Sequence, residues 1–101
     1  MLRVAGEIDV LTIDQFRAAV GTGLDQLPHR GILVIDLTGV TYLGSPGLQA
    51  LVNATRAASR RREPLRIVVD ANHTVIRPIR LTGLDDVLVL FHSVEDALQP
   101  A

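Results

Sequence analysis

The stretch I-L-V-I-D-L-T-G-V-T-Y-L-G-S-P-G-L-Q-A-L, residues 32–51, decides how the rest of the chain is read. Ile32 to Leu37 is an apolar run of β-branched character, broken only by Asp36. Such a run suits a central parallel strand covered on both faces. Thr38 and Gly39 are expected to end it, and Val40 to Leu43 lead into Gly44–Gly47. Leu48, Leu51, Val52, Thr55 and Ala58 then recur at helical spacing. The residue before a proline is pushed to the extended region, and proline is favoured at the first helical position. Ser45 therefore fits an N-cap, with Pro46 as the first residue of the helix. The same helix start presents free amides and partial positive charge, which can host a phosphoserine. Cap and switch both remain open for Ser45.

Outward from this stretch the chain alternates. Leu2 to Ala5 is a short strand candidate ending at Gly6. Thr12 opens T-I-D-Q, a capping box in which Gln15 can reach back to the N-cap amide. Ile13, Phe16, Val20, Leu24 and Leu27 follow at helical spacing, which predicts a helix over 13–26, and Pro28 to Gly31 then breaks the chain. L-R-I-V-V (65–69) is another strand. Asn72 or Thr74 can cap a short helix before Gly83, with Pro78 expected to kink or end it. V-L-V-L-F (87–91) reads as the last strand. S-V-E-D-A-L (93–98) is a terminal helix in which Ser93 and Asp96 resemble a capping box. Strands alternating with helices predict an α/β fold, one mostly parallel sheet of about four strands packed with four helices, joined by right-handed crossovers. The 101 residues bound this to a single domain.

Composition excludes several functions. Hydrophobic residues make up 48% of the chain, and the net charge is -1. That near-neutral balance argues against a nucleic-acid partner recognised through a general basic field. With three aromatics, Phe16, Tyr42 and Phe91, there is no platform for stacking single-stranded bases. No apolar run reaches the roughly 18 residues that cross a bilayer, so direct membrane insertion is not expected and a cytoplasmic location is. The chain has no cysteine, which removes disulfides, thiolate catalysis and Cys-type zinc sites. All ten basic residues are arginine, which removes the P-loop lysine and Schiff-base chemistry.

Candidate chemistry is thin. Asp9, Asp36 and Asp70 fall at or near predicted strand ends, where open α/β sheets place their sites. They can be read as metal ligands or a phosphoacceptor cluster, or as turn-formers and caps. His29, His73 and His92 lack any metal-ligand spacing. No G-x-S-x-G or G-x-G-x-x-G is present. Neither an enzyme nor a cofactor is expected. Arg60, Arg61 and Arg62 suit the C-terminal end of a helix, where cations complement the dipole.

G-E-I-D (6–9), residues 32–51, L-T-G-L-D-D-V (81–87) and S-V-E-D-A-L (93–98) together resemble the STAS domain, within it the bacterial anti-sigma factor antagonists. The resemblance implies a non-catalytic protein that binds an anti-sigma factor, often a serine kinase, and so frees a sigma factor. In that family the kinase phosphorylates a serine in a D-S-[ST]-G-L motif at the start of the second long helix, and the added charge breaks the complex. Here Gly44 stands in place of the Asp, Ser45 matches the first serine, and Pro46 occupies the phosphoacceptor position. Gly47 and Leu48 match. Ser45 is thus the phosphorylation candidate, one place early. The implied partner surface is Asp9, Gly44, Ser45, Pro46, Gly47 and Leu48. Gln49, Asn53 and Arg56 extend it as one polar helix face. Family members usually carry another N-terminal strand, so either the chain is trimmed or its sheet lacks that strand, and the edge of Leu2 to Ala5 would then be open to a homodimer or another chain. The alternative within the family is an adaptor subunit of a membrane transport complex, a lipid ABC system or an anion transporter.

Overall fold

Four parallel strands lie side by side in chain order: β1 (Leu2–Ile8), β2 (Leu33–Leu43), β3 (Leu65–Val68) and β4 (Leu90–Phe91). The computed structural model describes residues 1–28 and 31–99. Helices α1 (Ile13–Asp25), α2 (Ser45–Arg60) and α3 (His73–Leu81) make the crossovers, and α4 (Val94–Ala97) follows β4. A single 3-10 turn, Leu84–Asp86, separates α3 from β4.

The two faces of the sheet are unequal. Phe16, Val20 and Leu24 of α1, Leu48 and Leu51 of α2, and Val75 and Ile79 of α3 share one core with Ile35, Leu37 and Ile67 of the sheet. All three crossover helices therefore cover one face, as crossovers of a single hand require when strands run in chain order. On the other face, Ala97 of α4 meets only Val34 and Val68, with Ile32, Phe91 and Val94 around them. This explains why the apolar run of β2 is continuous at its start. Val34 needs cover from α4 while its neighbours Leu33 and Ile35 face the crossover helices.

The expected end of β2 at Thr38–Gly39 is not where the strand ends; it runs on to Leu43. Past Leu37 the buried positions become Val40 and Leu43, three apart instead of two. The register against β1 shows the cause. Arg3 pairs with Asp36 but Ala5 with Gly39, and Gly6 pairs with Val40 but Glu7 with Tyr42. Each step places one extra residue in β2, a bulge that breaks the alternation without breaking the ladder. Gly39 sits where an added Cβ would lie 3.2 Å from the Ala5 Cβ, so glycine there allows close pairing. β1 likewise continues through Gly6 to Ile8 rather than stopping at Gly6. Gly6 has φ +84° with no atom within 4 Å of a built Cβ, so its conformation, not space, calls for glycine.

Other expectations are corrected locally. Thr12 is the N-cap of α1, but its side chain makes no cap bond and the capping box with Gln15 does not form. Pro78 lies within α3, which runs on to Leu81. The strand expected over 87–91 shortens to Leu90–Phe91, with Val87 and Val89 exposed and Leu88 buried. Ser93 does cap α4, accepting the Asp96 N–H at 3.1 Å. His29 lies outside the described residues. Among these residues no helix is long and apolar enough to cross a membrane.

Two polar side chains hold the ends together. The Asn72 amide donates to the carbonyls of Leu37 and Val40, both at 2.9 Å, tying the start of α3 across the bulge in β2. Arg66, 7% exposed, donates to the Ala97 carbonyl at 2.7 Å and to the Gln99 carbonyl, with Phe91 under its guanidinium at 5.4 Å. The cation meets the unpaired carbonyls at the end of α4, where the helix dipole favours it. Arg66→Leu strands those carbonyls, and a loss of about 1–3 kcal/mol in unfolding free energy is expected. Urea denaturation measures it, with amide exchange in Val94–Ala97 rising first.

Candidate functional site

β1 and β2 end side by side, and their following loops emerge together at the C-terminal edge of the sheet. Ile8 pairs with Leu43, and the Gly44 N–H donates to the Ile8 carbonyl at 3.0 Å. This bond decides how α2 begins. Because Gly44 still belongs to the strand ladder, it is extended (φ -88°, ψ 176°), and the helix opens on the next residue. Gly44, not Ser45, is therefore the N-cap, with Ser45 first and Pro46 second in the helix. The expectation of Ser45 as cap is overturned by the sheet, which claims the preceding residue. Pro46 at this position removes one of the amides that a helix start leaves unpaired. Ser45 is exposed, its hydroxyl without a hydrogen bond among the described residues.

Gly47 anchors the helix start to the sheet. A Cβ there would stand 2.5 Å from Leu43 Cδ1 and 2.8 Å from Ile8 Cγ2. Leu48 is buried beside it. Gln49, Asn53 and Arg56 are all exposed, and Gln49 Nε2 donates to Asn53 Oδ1 at 3.1 Å. Ser45 precedes Gln49 by four residues, so the four side chains form one stripe along α2. The helix has Arg56 and Arg60 and no carboxylate.

Asp9 lies on the neighbouring loop and is half-buried. Its Oδ1 accepts the N–H of Leu11 at 2.9 Å and of Thr12 at 3.2 Å. The Thr12 hydroxyl donates to the Glu7 carbonyl at 2.8 Å and accepts the Asp9 N–H at 3.0 Å. Asp9 thus folds its own turn, the task predicted for the box at Thr12. The structure places it next to Gly44–Gly47 through the Ile8 bond, with one oxygen already engaged.

The other acidic candidates do separate work. Asp36 lies within β2, accepts from the Thr38 N–H (2.9 Å) and hydroxyl (2.7 Å), and faces Arg3 at 3.9 Å. Asp70, at φ +46°, stands 3.9 Å from His92 Nδ1 with both side chains exposed. Among the described residues no three His, Asp or Glu side chains converge on a metal-sized site. Arg61 joins the ends of two helices, reaching Asp25 at 3.3 Å and Glu63 at 3.6 Å.

Three residues beside the loops escaped the sequence. Val10 and Leu11 are 74% and 87% exposed. Tyr42 is also exposed, and its ring borders Gly44. The available signal was position: Val10 and Leu11 are apolar yet precede the buried stripe that starts at Ile13.

The family model described as the STAS domain matches residues 1–97. The anti-sigma-F factor antagonist RsfB of Mycobacterium tuberculosis is 36% identical over 99 residues, 97% of this chain and 77% of that protein. The anti-sigma-B factor antagonist of Listeria monocytogenes is 33% identical over 85 residues, 84% of this chain and 72% of that protein. A crystal structure of an anti-sigma factor antagonist from Mycobacterium paratuberculosis superposes with TM-score 0.83 at 35% identity, covering 95% of this chain and 79% of that one. This α/β arrangement thus has the fold of the matched part of that structure.

Two substitutions separate packing from capping. Gly47→Ala forces a methyl into Leu43 and Ile8, and a loss of about 1–3 kcal/mol is expected from overpacking. Ser45→Ala removes an exposed hydroxyl that caps nothing, and a change within about 0.5 kcal/mol is expected. Parallel urea titrations of both variants check the contrast.

Proposed function

The chain belongs to the STAS domain family, and we propose that it acts as an anti-sigma factor antagonist: it binds an anti-sigma factor in the cytoplasm and so releases a sigma factor, without catalysis. The contact surface runs from Asp9 and the Gly44–Leu48 helix start along Gln49, Asn53 and Arg56. The observation that carries this is the exposed stripe Ser45–Gln49–Asn53–Arg56, held against the sheet by Gly47, in a chain resembling proteins named for that activity.

Regulation differs from the phosphorylated members of the family. Pro46 stands where the resemblance puts the phosphoacceptor, and a proline has no hydroxyl to modify. Binding is therefore not switched at position 46. Ser45 is exposed and is the neighbouring hydroxyl that a serine kinase could reach. A phosphate there would add about two negative charges to the surface.

Pull-down with mass spectrometry is expected to recover an anti-sigma factor; recovery of transporter subunits instead would sink the proposal. Asn53→Ala with Arg56→Glu is expected to weaken that complex at least tenfold, about 1.4 kcal/mol, by titration calorimetry. Incubated with ATP and a recovered kinase, the chain is expected to keep its mass, while Pro46→Ser gains one phosphate. A phosphate mapped to Ser45 would place the switch one residue earlier.

A further inference from the structure

Val10 and Leu11 are two adjacent large apolar side chains held in water. At 74% and 87% exposure they lie outside both cores, and neither contributes to the fold's burial. Single exposed apolar residues are ordinary on a protein surface, but a fixed adjacent pair calls for a reason. This pair is fixed. Asp9 Oδ1 holds the Leu11 N–H at 2.9 Å and the Thr12 N–H at 3.2 Å, and the Thr12 hydroxyl closes the turn on Glu7. The turn is in turn bound to the start of α2, through Ile8, which accepts from Gly44 and packs under Gly47. The turn that carries the pair and the first turn of α2 are therefore joined through the ends of two paired strands. A preordered apolar contact loses little freedom on binding, which is where much affinity is otherwise spent.

We infer that Val10 and Leu11 are the apolar anchor of the partner surface, entering a hydrophobic recess on the anti-sigma factor whose rim presents carboxylates to Arg56. This rests on the function proposed above. The charge of the rim follows from α2, which carries Arg56 and Arg60 and no acidic residue. The carboxylates beside the pair lie off α2: Asp14 stands 4.0 Å from Arg17 on α1, and Asp9 has one oxygen engaged in its turn. The arrangement matches the usual anatomy of an interface, an apolar centre with a charged rim.

Calorimetric titration of the full chain with the purified anti-sigma factor tests this. Leu11→Ser is expected to weaken binding at least tenfold and Val10→Ser/Leu11→Ser about a hundredfold, chiefly through faster dissociation. Leu11→Met, which keeps the apolar bulk, is expected to stay within threefold. The thermal midpoints of all three variants are expected to match the parent chain, because neither side chain is buried in it. Unchanged affinity in the double serine variant, with binding still lost on Arg56→Glu, overturns the anchor and leaves the proposed function standing. Failure of the unsubstituted chain to bind overturns both.

Discussion

One backbone hydrogen bond, from the Gly44 N–H to the Ile8 carbonyl at 3.0 Å, ties together the two segments of the proposed contact surface. It extends the β1–β2 ladder one residue beyond the strands, and so sets where α2 starts. It also brings the Asp9–Thr12 turn alongside the helix start, although more than thirty residues separate them in the chain. Gly47 is the steric counterpart of that bond. Only a residue without a side chain lets the first turn of α2 settle on Ile8 and Leu43. Bond and contact together convert two loops into a single rigid face.

Behind that face the sheet supplies the rigidity. Three crossover helices bury the main core on one side, while the short α4 covers only the β2–β3–β4 part of the other. The uncovered part carries Arg3, Asp36 and Thr38, linked by an ion pair and local hydrogen bonds. Arg66 keeps α4 in place by meeting its C-terminal carbonyls from within the sheet. A buried arginine is costly unless it is hydrogen-bonded, and here Nη1 donates to two carbonyls. The helix start and the Asp9 turn thus project from a sheet packed on one face by three helices and on part of the other by α4.

Much of this was legible beforehand, and the misses share a cause. The helices showed themselves through buried spacing such as Ile13–Phe16–Val20–Leu24, which needs no knowledge of partners. β2 was misjudged at Thr38–Gly39 because its bulges change the period from two to three, which in one dimension looks like an ending. Thr12 is the N-cap as expected, but its box with Gln15 fails because Asp9 Oδ1 takes the Thr12 N–H, while the Thr12 hydroxyl turns to Glu7 and Asp9. Ser45 lost the cap to Gly44 because a strand partner from residue 8 reached it first. For β2 and Ser45 the deciding neighbour is β1, distant in sequence; for Thr12 it is Asp9, three residues away.

By itself, then, the sequence determined the class of fold, the order of its elements, the family and the polar face of α2, since hydrophobic period and turn residues act over a few positions. The tertiary structure alone decided which residue caps α2, what occupies Asp9, how β2 stays paired through its bulges, and that Val10 and Leu11 stand in solvent. Those outcomes depend on contacts between segments that pack only once the sheet has formed. A serine followed by proline reads as a cap in isolation. Paired to Ile8 through its neighbour, it becomes an exposed first turn of a helix.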